Sequence, residues 1–265
     1  MIFALIKKDF KQNWMLFVIF LGILTMYTSI MIYIYSPEDV DAMLAVMSVM
    51  PEDLLKAMGF SATVTNLTTF IASWLYGMLM FAFPMIYSII LGNRLVAKMV
   101  DDHSFAYLLS TPNSRVKLIL TQGIFALSSM LLLFIIIFIE GIVFSEIMFA
   151  GELNIPAFFK LNLVTMLLNM AILMITFFFS CLFNESKRSS GFGSGVPIAL
   201  MLMNMLGNTG DELNFLKNLT LYGLYDPIDL VNGVTVLFPM LLYIGLVVIL
   251  LTSGIIIFNR KRLPL

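Results

Sequence analysis

One histidine, one cysteine and one carboxylate inside a long apolar run are the residues with which this chain could do chemistry. His103 follows the acid pair Asp101–Asp102, a grouping that could offer a base or part of a metal site. A zinc centre needs at least three protein ligands on facing elements, and there is no second histidine or cysteine to supply them. An intramembrane metalloprotease is nearly excluded on that ground. Cys181 has nothing to pair with, so neither an intrachain disulfide nor a thiolate cluster can form, and it reads as a small buried apolar residue. The run "GFGSG", Gly191–Gly195, neither follows a strand nor belongs to a βαβ unit, and no GxxxxGK[ST] occurs anywhere. Phe192 stands where a GxSxG nucleophile before Ser194 would need its first glycine. Gly191 and Gly195, four apart, could instead admit a neighbouring helix closely. Glu140 is the one acid inside an apolar span, a position that points to ion coupling or a polar pathway, although it falls near the end of its run where it can reach water. No catalytic, cofactor or metal residue is expected of this chain.

The elements that carry these residues are membrane spans. The chain is 60% apolar and 12% charged with a mean hydropathy of +1.00, whereas soluble domains average about 45–50% and about 25%. A net charge of -1 excludes a generally basic nucleic-acid binder. A hydrocarbon core of about 30 Å takes about 20 apolar residues as helix. Six stretches serve: Met15–Tyr35, Leu67–Leu91, Val116–Phe144, Leu161–Phe183, Phe192–Leu206 and Val236–Phe258. The fifth is short, glycine-rich and interrupted by Pro197, so a bent or partial span is expected there.

Lysine and arginine orient the six. One side receives Lys7, Lys8, Lys11, Arg94, Lys98, Arg115, Lys117, Lys187, Arg188, Arg260, Lys261 and Arg262; the other receives Lys56, Lys160 and Lys217. That bias places both termini in the cytoplasm. The expected architecture is an all-α membrane protein forming a single transmembrane domain over 1–265. Residues 1–13 read as an interfacial amphipathic helix, with Ile2, Ile6 and Phe10 opposite Lys7, Lys8 and Lys11. Outer-face helices are expected in the first external loop, with Ser36 as a cap, a stripe of Val40, Met43, Met47 and Met50, and a second helix from Pro51 to Gly59. The last external loop mixes helix-forming runs with breakers in the same way. Twenty-one methionines give adaptable apolar surfaces, which suit packing against lipid and favour hydrophobic or amphipathic cargo over ions and sugars.

The longest cytoplasmic loop, "KMVDDHSFAYLLSTPNSRVK", reads as a short amphipathic helix over 98–112. Phe105, Leu108 and Leu109 stand at i, i+3 and i+4, with Val100 and His103 about a turn earlier, forming an apolar knob. Asp101 and Asp102 suit the positive start of the helix, Pro112 ends it, and Asn113–Ser114 can cap the third span.

Here the residues resemble a family, the type-2 permeases of ATP-binding-cassette (ABC) exporters. The resemblance lies in an N-terminal interfacial helix before six spans, and in acids, a leucine pair and a small-residue–Pro–x–Ser–Arg ending in "DDHSFAYLLSTPNSR". "PEDLLKAMGF" and "LYDPIDLVNG" also look like recurring elements of such permeases. His103–Ser104 departs from the Gly–Thr-like pair that many members carry. The overall style is similar to permeases that export antimicrobial or cytolytic peptides, the phenol-soluble-modulin exporters among them. The resemblance implies a half-transporter of the plasma membrane that is no enzyme by itself. Its 98–112 segment would be a coupling helix, with Val100, Asp101, Asp102, His103, Phe105, Leu108 and Leu109 engaging a separate cytosolic ATPase. ATP and Mg would sit on that ATPase, and a second permease copy or a sister permease would complete the path. Two other readings stay open from the residues themselves: an ion-coupled secondary transporter using Glu140, and a non-transporting receptor or scaffold.

Overall fold

The computed structural model describes residues 2–35, 49, 51–57, 65–110, 112–209 and 213–262. Six helices among them are long and apolar enough to cross a membrane: Phe3–Ile34, Leu67–Asp101, Arg115–Met148, Ile155–Leu182, Ser186–Gly207 and Leu237–Arg260. These are the first to sixth spans below. The described residues contain no strand. The stripe expected at Val40, Met43, Met47 and Met50, and the proposed caps at Ser36 and Gly59, lie outside the described residues; Glu52–Ala57 is helical.

The helices overrun the expected limits because nothing stops them at the edge of the oil. The first span has 32 residues, about 48 Å at 1.5 Å per residue, well beyond a core of about 30 Å. The separate helix expected over 1–13 is therefore corrected to the first turns of one continuous rod. Its buried face runs unbroken through Leu5, Asp9, Asn13, Leu16, Phe20, Leu24, Thr28 and Ile32 at spacings of three and four. Ile2–Asn13 holds no glycine or proline that would end that register. The fifth span is likewise longer than expected, an uninterrupted helix of 22 residues with Pro197 inside it.

The second span is the irregular one. Leu67–Trp74 opens on a capping box between Asn66 and Thr69. It then widens into a π-helical turn at Leu75–Leu79, where the Met80 N–H donates to the Leu75 carbonyl five residues back. It resumes as Met80–Leu95 with Pro84 inside. Proline lacks an N–H and crowds the carbonyl four residues earlier, so the Met80 carbonyl loses its ordinary partner. A break of this kind survives at membrane depth only when neighbours supply the missing bonds.

The fourth span does so. It packs against the sixth, second, fifth and third, and its apolar stretch is 78% buried against 28% for the first and third. Glycines set two of these approaches. A Cβ on Gly92 would overlap the Thr176 hydroxyl, and a Cβ on Gly193 would lie 3.5 Å from the Thr176 Cα. Gly191 and Gly195, the pair expected to admit a neighbour, meet nothing within 4 Å. The contact glycine is the one between them, because the helix turns that side to the fourth span. Cys181 is fully buried, as expected, and its sulfur faces Gly254 of the sixth span.

Candidate functional site

The last turn of the second span and the loop that follows it are folded differently from the expected single helix. Ala97–Asp101 and Ser104–Leu109 are two short helices separated at His103, whose φ of 58° is the only positive value on a non-glycine among the described residues. A left-handed residue in the middle of an L-chain helix ends it, and only glycine, asparagine or aspartate takes that conformation readily. The second helix restarts on Asp102, whose carboxylate accepts the Ser104 N–H at 3.1 Å. Slight burial raises the Asp102 pKa, but hydrogen bonding to Ser104 outweighs this, aided by Lys98 and Lys8, and the carboxyl is held below its ordinary value. The helix stops at Leu109, before Pro112, and Ser114 caps the third span by accepting the Lys117 N–H at 3.3 Å.

The apolar knob points inward, which corrects the expectation for Phe105 and Val100. Phe105 is fully buried with its ring 5.1 Å from Phe258 of the sixth span, and Val100 is buried as well. Burying an aromatic ring against the bundle gains far more than leaving it in water while no partner is bound. Leu108 is partly buried against the core, while Asp101, Asp102, His103 and Tyr107 face outward. Tyr107 is 80% exposed.

This loop is tied to three spans. The Ala97 N–H donates to the Ser180 hydroxyl at 2.8 Å, and Lys8 of the first span reaches the Met99 sulfur at 3.9 Å. Beneath Phe105, Lys261 lies 5.6 Å from the Phe258 ring centre and donates to the Cys181 carbonyl at 3.0 Å, while Arg115 donates to the Lys261 carbonyl at 2.8 Å. Burial pushes the Lys261 pKa down to about 8. The loop therefore contacts the first, fourth and sixth spans.

A second polar constellation escaped the sequence reading. Asn162, Thr165, Asn169, Thr176 and Ser180 lie on one face of the fourth span and bond rung by rung along the second. Asn162 accepts the Tyr76 hydroxyl at 2.9 Å, Asn169 donates to the Met80 carbonyl at 3.1 Å, and Thr176 donates to the Ser88 carbonyl at 3.0 Å. With the Ser180 rung, the sequence separations are 86, 89, 88 and 83, as two parallel helices require. Tyr225, from the segment before the sixth span, completes the cluster. Its hydroxyl donates to the Tyr76 carbonyl at 3.1 Å and lies 2.9 Å from Thr165. The carbonyls of Tyr76 and Met80, in and just after the π-turn, therefore both receive side-chain donors. Two signals were present in the sequence: Pro84, and polar residues at 162, 165, 169, 176 and 180 spaced by three, four and seven.

Glu140 lies in the third span, where its Oε1 accepts the Ser29 hydroxyl of the first span at 3.2 Å. Its Oε2 is buried with no protein partner. Nearer the basic end of the same seam, Asp9 accepts the Gln122 amide at 3.4 Å, and Asp9 Oδ2 and Gln122 Oε1 are likewise buried and unpaired. Among the described residues no cluster of three metal-ligating side chains occurs. Comparisons with known protein families, with curated proteins and with solved structures return no match for this chain.

Proposed function

We propose that this chain is the membrane-spanning subunit of an ATP-driven ABC exporter that moves a hydrophobic or amphipathic compound, a peptide among the candidates, out of the cell. A separate cytosolic ATPase supplies the energy, and a second copy or a sister permease completes the path. The observation that carries this reading is the 97–109 loop: a polar outer face with Tyr107 prominent, and an inner face anchored by Phe105 on Phe258. The left-handed backbone at His103 supports it as well, since that is where the resembled family carries a glycine-like residue, and glycine adopts this conformation without cost. Residues now divide by task. Asp101, Asp102, His103 and Tyr107 form the surface for the ATPase, and Val100 and Phe105 transmit its movement. An ATPase that binds two permease states with different affinity shifts the balance between them, and without that difference nothing moves.

The test is co-purification in mild detergent with the cytosolic protein that binds the loop, followed by ATP hydrolysis. Tyr107→Ala with Asp101→Lys is expected to abolish association while membrane insertion stays intact. Phe105→Ala is expected to keep association and lose substrate-stimulated hydrolysis. Normal association of the Tyr107→Ala/Asp101→Lys variant would remove the coupling assignment. The unpaired Glu140 Oε2 favours a second reading, transport coupled to an ion at that carboxylate. Under it, Glu140→Gln stops transport and removal of ATP does not; the reverse pattern rejects it.

A further inference from the structure

A cavity of about 190 Å³ lies between the first and third spans near their basic ends. Its walls are Phe10, Trp14 and Phe17 on one side and Phe125, Ser128 and Leu132 on the other, and almost all of the lining is apolar. The two helices run parallel, since Gln122 meets Asp9 and Glu140 meets Ser29 at sequence separations of 113 and 111. That register sets which charges flank the basic half of the groove. Lys7 and Lys11 are exposed beside Phe10 and Trp14 on the first span, and Lys117 is exposed two turns before Phe125 on the third. From Ile6 to Phe17 the groove extends about 16 Å along the helix axis, close to the depth of one leaflet of a core about 30 Å thick. The nearest carboxylate, Asp9, is buried and turned toward Gln122, so the exposed charges flanking the groove on these two helices are cationic.

An apolar slot one leaflet deep beneath three ammonium groups is complementary to one kind of molecule, an anionic amphiphile lying parallel to the helices. We propose that this groove holds an acyl chain of an anionic phospholipid whose headgroup is met by Lys7, Lys11 and Lys117. Trp14 stands on the groove wall, and its amphipathic ring suits the boundary between headgroup and chain. The inference is independent of the transport reading, because it rests on the cavity and the register alone.

The chain has two tryptophans, so Trp74→Phe leaves Trp14 as a reporter inside the groove. The full chain with that change is reconstituted in vesicles of phosphatidylcholine containing brominated phosphatidylglycerol, and in phosphatidylglycerol containing brominated phosphatidylcholine. Selective binding is expected to make the brominated anionic lipid quench Trp14 several-fold more effectively than its neutral counterpart at equal mole fraction. Raised ionic strength should shrink that preference. Lys7→Gln with Lys11→Gln is expected to bring the ratio close to one, and Ser128→Phe, which fills the slot, to lower quenching by both lipids. Equal quenching by the two lipids in the starting protein overturns the proposal, as does a preference that survives loss of the lysines. Absence of quenching by either lipid also overturns it, and indicates a second protein copy over the groove. Should Ser128→Phe fail to fold, the lysine variant alone decides.

Discussion

Two helix seams in this molecule carry polar side chains, and they treat them in opposite ways. Along the second and fourth spans, Asn162, Thr165, Thr176 and Ser180 all find partners, and the exceptions include the side-chain carbonyl oxygens of Asn93 and Asn169. Along the first and third spans, Asp9 Oδ2, Thr28 Oγ1, Gln122 Oε1, Glu140 Oε2 and Ser145 Oγ are all buried without one. The backbone explains the difference. The second span is broken by a π-turn and Pro84, and its freed carbonyls demand donors that only the fourth span and Tyr225 can bring. The first and third spans are regular helices, and most side-chain bonds to backbone there stay within one helix, Asn13 to Asp9, Ser29 to Thr25 and Thr121 to Lys117, rather than repairing a break in the neighbour. In the first seam polar side chains bridge the two helices; in the second, five buried polar atoms are left without a partner.

Breaking the bonded seam should have the largest effect. Gly92→Val drives a side chain into Thr176 and parts the two spans, and overpacking of this kind costs about 1–3 kcal/mol. The thermal midpoint in mild detergent should fall, and an unchanged midpoint would mean the spans are not so closely apposed. Asn169→Leu strands the Met80 carbonyl at a cost of about 1–2 kcal/mol, and Met80–Leu95 should gain hydrogen exchange ahead of the other spans. Uniform loss across the bundle would instead mark Asn169 as ordinary packing. The same kind of edit in the other seam tests the contrast directly. Glu140→Gln keeps the shape and can keep the Ser29 contact, so it should lower stability by much less than Asn169→Leu does. A loss comparable to that of Asn169→Leu would erase the distinction between the seams.

The smallest effect concerns the bonds beneath the loop. Burial lowers the Lys261 pKa to about 8 in the folded chain from its ordinary value of 10.5. Between those values the folded chain holds fewer protons than the unfolded one, so stability rises as pH increases through that window. A modest upward drift of the midpoint from pH 8 to 10 is expected, flattened in Lys261→Met. A drift that persists in that variant would assign it to another group.

Much of this architecture was legible in the residues. Six spans followed from runs of apolar residues matched to bilayer thickness, and each survives as a longer helix, although Tyr35, Phe183 and Val236 fall just outside theirs. The caps at Ser114 and before Pro112 were also readable, because capping is a local matter of one side chain and the next turn. Phe105 was legible as an apolar residue at helical spacing but not as an anchor, since which side of a short helix meets the bundle depends on where Phe258 lies. The loop's break at His103 was not read from the residues, because histidine enters the left-handed region less readily than glycine and the surrounding pattern of apolar residues reads as one continuous helix.

By itself, then, the sequence determined the number of apolar spans and the gathering of positive charge at one end of them. Those follow from transfer free energy and composition, which each segment carries with it. The tertiary structure alone decided that the second and fourth spans are bonded in register, that the first and third leave a groove between them, and that Phe105 faces inward. A polar side chain in a membrane takes its meaning from the partner it reaches, and that partner lies a hundred residues away along the chain or has no place in it at all.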